Sequence, residues 1–163
     1  LTGPSAALRD TLRFGVHDVT EVEFHTGVAD PTAFACRLLR KACRTGVRVL
    51  VTAPPAALAA LDRALWTFDE RDFVPHVRQP GASAPVAART PIWLATHGGL
   101  PGAPRVLVNL GAEAPQDLDA VERLIEIVSA DADEADRGRS RWRAYKAHGL
   151  QIVHHRSRRG AEG

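Results

Sequence analysis

Between Glu21 and Thr52 the chain runs strand, helix, strand in immediate succession, and that unit leaves few folds open. Val22 and Phe24 alternate with Glu21 and Glu23, the period-two pattern of a strand with one buried face. Asp30-Pro31 then supplies a capping carboxylate and a proline at the first helical position. Phe34, Leu38, Leu39, Ala42 and Cys43 recur at helical spacing up to Gly46, while Arg37, Arg40, Lys41 and Arg44 take the outer face. Val47-Arg-Val-Leu-Val-Thr52 is β-branched and bounded by turn residues, so it reads as a second strand. Strands joined through a helix lie parallel, and a parallel sheet needs both of its faces covered.

The rest of the chain continues the alternation. Pro54-Pro55 opens a helix through about Phe68 with Leu58, Leu61 and Leu65 facing inward. Trp66 lies roughly 100° from the centre of that leucine stripe, on the boundary with solvent. Phe73-Val-Pro-His-Val77 reads as extended, and Pro75, which has no N–H to donate, places it at an edge. Segment 79–91, rich in Pro and Ala, is predicted as a surface excursion. Strands are predicted over 92–96, 106–110, 124–128 and 150–154, with helices from Pro115 to about Arg123 and from Ala132 to His148. The prediction is an α/β domain over 19–155, a three-layer α/β/α arrangement around a largely parallel, Rossmann-like sheet. Residues 1–18 read as an extension outside the core and 156–163 as a disordered basic tail.

Composition narrows the function classes. With 163 residues, 45% hydrophobic and 25% charged, the chain suits a single soluble domain with a real core. No apolar run approaches the ~20 residues of a membrane span, and the start lacks a secretory signal pattern, so the expected location is cytoplasmic, with no membrane partner. Cys36 and Cys43 on one helix stand ~10 Å apart along its axis, too far to bridge, and read as buried thiols. The net charge of +2 hides a local excess, for no acid occurs between Arg137 and Arg159.

Most enzymatic chemistry lacks its residues. The loop after the first strand, His25-Thr-Gly-Val-Ala-Asp30, has one glycine and an acid where a dinucleotide fingerprint or P-loop needs several glycines. Asp30 at the helix start would repel a phosphate. The seven histidines form no metal-binding motif, and adjacent His154 and His155 point apart on a strand. The serines lack a nucleophile elbow. No cofactor, metal or catalytic residue is predicted.

One surface is distinctive. At about 100° per residue, Arg139, Trp142, Arg143 and Lys146 share a helical stripe, cations around a large ring, suited to an anion with an apolar end. The strings Ala64-Leu-Trp66, Asp72-Phe-Val-Pro-His76, Pro91-Ile-Trp93, Val106-Leu-Val-Asn-Leu110 and Arg139-Ser-Arg-Trp-Arg-Ala-Tyr-Lys-Ala-His-Gly149 accompany it. In this order and spacing the chain, from about Val19 to His154, resembles the chi subunit of the bacterial DNA polymerase III holoenzyme.

The resemblance implies a non-catalytic adaptor of the clamp-loader assembly with a nucleotide-binding-like fold that binds no nucleotide. It implies three partners: the acidic C-terminal tail of single-stranded DNA-binding protein, the psi subunit, and an XPD-like helicase as an alternative to psi. The tail ends Asp-Phe-Pro-Phe, and its binding motif carries over onto Trp66, Val128, Arg139, Trp142 and Arg143, with Lys146 drawing upstream acids. Arg139 is expected to clamp the terminal carboxylate while Trp66, Val128 and Trp142 wall the phenyl ring. The family commonly has tyrosine at Trp142 and lysine at Arg143, and this chain has Ala135 one turn before Arg139. Phe73 is the candidate anchor for psi or helicase. The alternative function is direct binding of single-stranded nucleic acid, since rings among arginines also suit stacked bases and phosphates.

Overall fold

The computed structural model describes residues 21–157. The predicted extension at 1–18 and residues 158–163 of the predicted 156–163 tail lie outside the described residues, whereas Arg156, placed in that tail by the sequence reading, pairs with Thr26 at the end of the C-terminal strand. The strands are β1 (Glu21–Val28), β2 (Val49–Thr52), β3 (His76–Arg78), β4 (Ile92–Ala95), β5 (Val106–Asn109), β6 (Arg123–Ser129) and β7 (Gln151–Arg156). The helices are α1 (Pro31–Arg44), α2 (Pro55–Thr67), α3 (Ala84–Arg89) and α4 (Ala132–Ala147). The strands form one open sheet in the order β3-β4-β2-β5-β6-β1-β7. Every pairing in it is parallel.

Alternation along each strand decides which layer a residue joins. Val49, Val51, Ile92, Leu94, Val106, Val108, Ile125 and Ile127 pack beneath α1 and α2. Leu50, Trp93, Leu107, Leu124, Val22 and Phe24 pack with Ala87 of α3 and Tyr145 of α4 on the opposite face. The strands β2, β4 and β5 are buried throughout, which is why they read as unbroken apolar runs rather than alternating ones. At the start of α1 the Asp30 carboxylate accepts the Ala33 amide at 3.0 Å, and Pro31 occupies the first turn. No helix among the described residues is long and apolar enough to cross a membrane.

Two predicted segments differ. Instead of an α-helix over 115–123 there is a single 3-10 turn, Leu118–Ala120. The Asp117 side chain accepts the Asp119 amide at 3.1 Å, a local closure that competes with helix propagation, and Arg123 is drawn into β6. The excursion at 79–91 contains α3, capped by Ser83, which accepts from Val86 N. This short helix is held from below: the Ala87 carbonyl accepts Trp93 Nε1 at 2.8 Å and Arg48 Nη2 at 3.3 Å. Six residues are too few for a helical period to show in sequence.

Candidate protein-docking site

Helix α4 is set on the sheet by polar rather than aliphatic contacts. Asp131 caps it by accepting the Glu134 amide at 3.2 Å, and Asp133 and Glu134 in the first turn oppose the helix dipole. Its buried residues are Gly138, Arg141 and Tyr145. Arg141 and Tyr145 close on Glu126, fully buried in β6. Glu126 Oε1 accepts the Tyr145 hydroxyl at 2.6 Å and Asn109 Nδ2 at 2.9 Å, while Oε2 accepts Arg141 Nε at 2.9 Å. Burial pushes the Glu126 carboxyl above its ordinary value, and Arg141, Tyr145 and Asn109 pull against that. Burial beside this carboxylate also drives the Tyr145 phenol well up. Sequence patterning missed the anchor because an arginine occupies a core position; the lone Glu126 amid Leu124, Ile125, Ile127 and Val128 was the available signal.

The outer stripe of the same helix carries the predicted residues. Trp142 is half-buried, with Phe24 at 5.0 Å between ring centroids and the His154 ring edge-on at 5.1 Å. One side of the indole is thus fixed by β1 and β7, and the other meets solvent. Arg139, Arg143 and Lys146 are exposed around it. Arg139 pairs with Asp136 one turn back, and Arg143 Nη2 lies 3.4 Å from Ser140 Oγ. His154 Nε2 is 2.6 Å from Thr26 Oγ1, and partial burial with Arg156 and His155 nearby lowers its pKa.

Two predicted residues sit elsewhere. Val128 is buried beneath α4, against Gly138, so it forms the floor under the helix rather than an open wall. Trp66 does not meet Trp142. It belongs to α2, in the other layer of the molecule, beside β3 and β4, whereas α4 covers β6, β1 and β7. At ~4.8 Å per strand the two indoles are separated by roughly 20 Å across the sheet and by the sheet itself. The expectation that both indoles wall one ring pocket is therefore corrected: an angular position on one helix says nothing about which layer that helix joins.

Trp66 instead joins Phe73. These rings are 62% and 53% exposed and lie 5.2 Å apart. Buried His76 supports both, with its ring 5.0 Å from Trp66 and 6.3 Å from Phe73. His76 is itself fixed, its ring nitrogens 2.7 Å from the Val74 carbonyl and 2.9 Å from Asp62 Oδ1. Two adjacent exposed aromatics on a braced edge make an apolar patch of the kind that protein partners cover.

The molecule thus offers a cationic stripe around one ring on one layer and an aromatic pair on the other. The family model of the DNA polymerase III chi subunit matches residues 19–153. The DNA polymerase III subunit chi of Pseudomonas aeruginosa is 35% identical over 145 residues, covering 85% of this chain and 97% of that protein. The match takes in both aromatic surfaces and the whole of α4, and the chain belongs to the chi-subunit family of DNA polymerase III, the accessory subunits of the bacterial replicase.

Proposed function

We propose that the chain is an adaptor whose α4 stripe holds the acidic C-terminal tail of single-stranded DNA-binding protein, and whose Trp66–Phe73 edge takes a second partner, psi or an XPD-like helicase. The observation that carries this reading is the half-buried Trp142 ring, braced by Phe24 and His154 and bordered by exposed Arg139, Arg143 and Lys146. A terminal phenylalanine can lay its ring on the open side of the indole while its α-carboxylate meets a guanidinium. The buried ring and the clamped terminal carboxylate supply most of the affinity, because lone surface ion pairs to the upstream acids contribute only ~0–1 kcal/mol each. Arg139 must exchange its Asp136 partner for the tail carboxylate. Arg143, whose contact is a neutral hydroxyl, can engage without breaking an ion pair. Separation of the two surfaces by the sheet lets both partners bind at once.

The test is titration with an acidic peptide ending Asp-Phe-Pro-Phe, with its amidated form, and with single-stranded DNA. The adaptor reading expects the free acid to bind, amidation to weaken it about tenfold or more, and Trp142→Ala to abolish it. Preferential binding of DNA, with indifference to the amide, would replace this reading with direct nucleic-acid binding.

A further inference from the structure

Two residues of β1 and one from β7, about 130 positions later, converge on the other face of the β1–β7 pair. Val22 and Phe24 face α4, so Glu23 and His25 face α1, where the His25 ring packs 5.0 Å from Phe34. In the parallel register His25 sits directly opposite His155, which points to the same side while its neighbour His154 faces Trp142. Glu23 Oε1 lies 3.0 Å from His25 Nε2 and 3.5 Å from His155 Nε2, and the three candidate donor atoms are all within 4.8 Å of one another. Two imidazoles and a carboxylate are the ligand set of a borderline divalent ion.

We propose that Glu23, His25 and His155 form a binding site for a divalent transition ion, with zinc(II) as the ion that tests it. Zinc–nitrogen bonds of about 2.0–2.1 Å in a tetrahedron place neighbouring ligand atoms about 3.4 Å apart. The two carboxylate–imidazole distances fall on either side of that value. The other carboxylate oxygen is already held, since Arg123 Nη2 donates to Glu23 Oε2 at 2.6 Å. That contact turns Oε1 toward the imidazoles and leaves one oxygen for the ion, the outer partner that ligand carboxylates usually have.

One adjustment is required. The two imidazole rings stack at 4.8 Å with 15° between their planes, so their in-plane lone pairs run nearly side by side. They converge on a common ion only if one ring turns. His155 can do so, being half exposed on an edge strand, whereas His25 is pinned by Phe34 and Glu23. Solvent at the fourth position completes the tetrahedron. The positive charge of Arg123 works against a dication and limits affinity. Binding links the last strand to the first, so it raises thermal stability in proportion to occupancy.

The experiment uses the untagged full chain. Zinc affinity is read by competition with a chromophoric chelator, and cobalt(II) is used for the visible ligand-field bands of a tetrahedral nitrogen–oxygen site. The expected result is one ion per chain with those bands, weakened about tenfold or more by His155→Ala and by His25→Ala, and unchanged by His154→Ala, whose ring faces the other layer. His155→Ala removes an exposed edge side chain, so it reports even if His25→Ala does not fold. Absence of a stoichiometric ion, or equal affinity in wild type and H155A, would overturn the proposal.

Discussion

Gly138 of α4 lies so close to Val128 of β6 that a Cβ at Gly138 would stand 2.7 Å from Val128 Cγ1 and 3.1 Å from Cγ2. The helix approaches the sheet at this point only because that residue has no side chain. Gly138→Ala gains up to about 1 kcal/mol of helix propensity. It also drives a methyl group into a buried, β-branched neighbour, and overpacking of this sort costs about 1–3 kcal/mol. We expect a net loss of stability in urea unfolding, together with weaker tail-peptide binding, because tilting α4 lifts Trp142 from Phe24.

The buried carboxylate of Glu126 sets a pH prediction. Its raised folded-state value means that stability is fully present below the ordinary carboxylate range and declines as pH rises through the raised value. Arg141 opposes that rise. Arg141→Met should therefore destabilise by about 3–5 kcal/mol at the higher of two pH values, where the carboxyl is ionised, and by less at the lower, where it is protonated. Adding Glu126→Gln should restore much of the loss. Chemical denaturation at the two pH values measures both effects, and a deficit independent of pH would show that the lost packing of Arg141, not its charge, dominates.

Trp66→Ala and Phe73→Ala separate the two surfaces. Both side chains are more exposed than buried, so each change should alter stability by no more than about 0.5 kcal/mol. Tail-peptide affinity should be untouched, whereas capture of psi or of the helicase should fall about tenfold or more. Loss of peptide binding in Trp66→Ala would mean that the indoles act together after all.

The two thiols should be inert. Burial pushes the Cys36 thiol up to about 11 and also raises Cys43. A thiol-specific disulfide reagent at pH 8 should react slowly with native protein and with both cysteines after unfolding, which stopped-flow absorbance can follow. Rapid stoichiometric labelling of the native chain would contradict the buried environment of α1.

Much of the architecture was legible because it is written in local periods. The alternation in Val22 and Phe24, the leucine stripe of α2 and the β-branched run ending at Thr52 each name their element, and the parallel order follows from the helices between them. The stripe of Arg139, Trp142, Arg143 and Lys146 was legible for the same reason, as a property of one helix. What sequence could not supply was the layer in which each helix packs, and so Trp66 was assigned to the wrong indole's company. The Glu126–Arg141 anchor and the Glu23–His25–His155 cluster escaped for a related reason: their members meet between separate elements, strand with helix in one and strand with strand in the other, and no local period records a pairing of that kind.

The strand β7 docks on β1, and Thr26 meets His154 although 128 residues separate them. On a ribosome delivering the chain from its N-terminus, β1 must wait for its outer neighbour until nearly all of the described domain has been made. Such a non-local pairing closes late and slowly. Until it does, the same stretch that later braces Trp142 is an open template for stray chains, and the nascent subunit completes the surface around that indole only when its C-terminal strand closes.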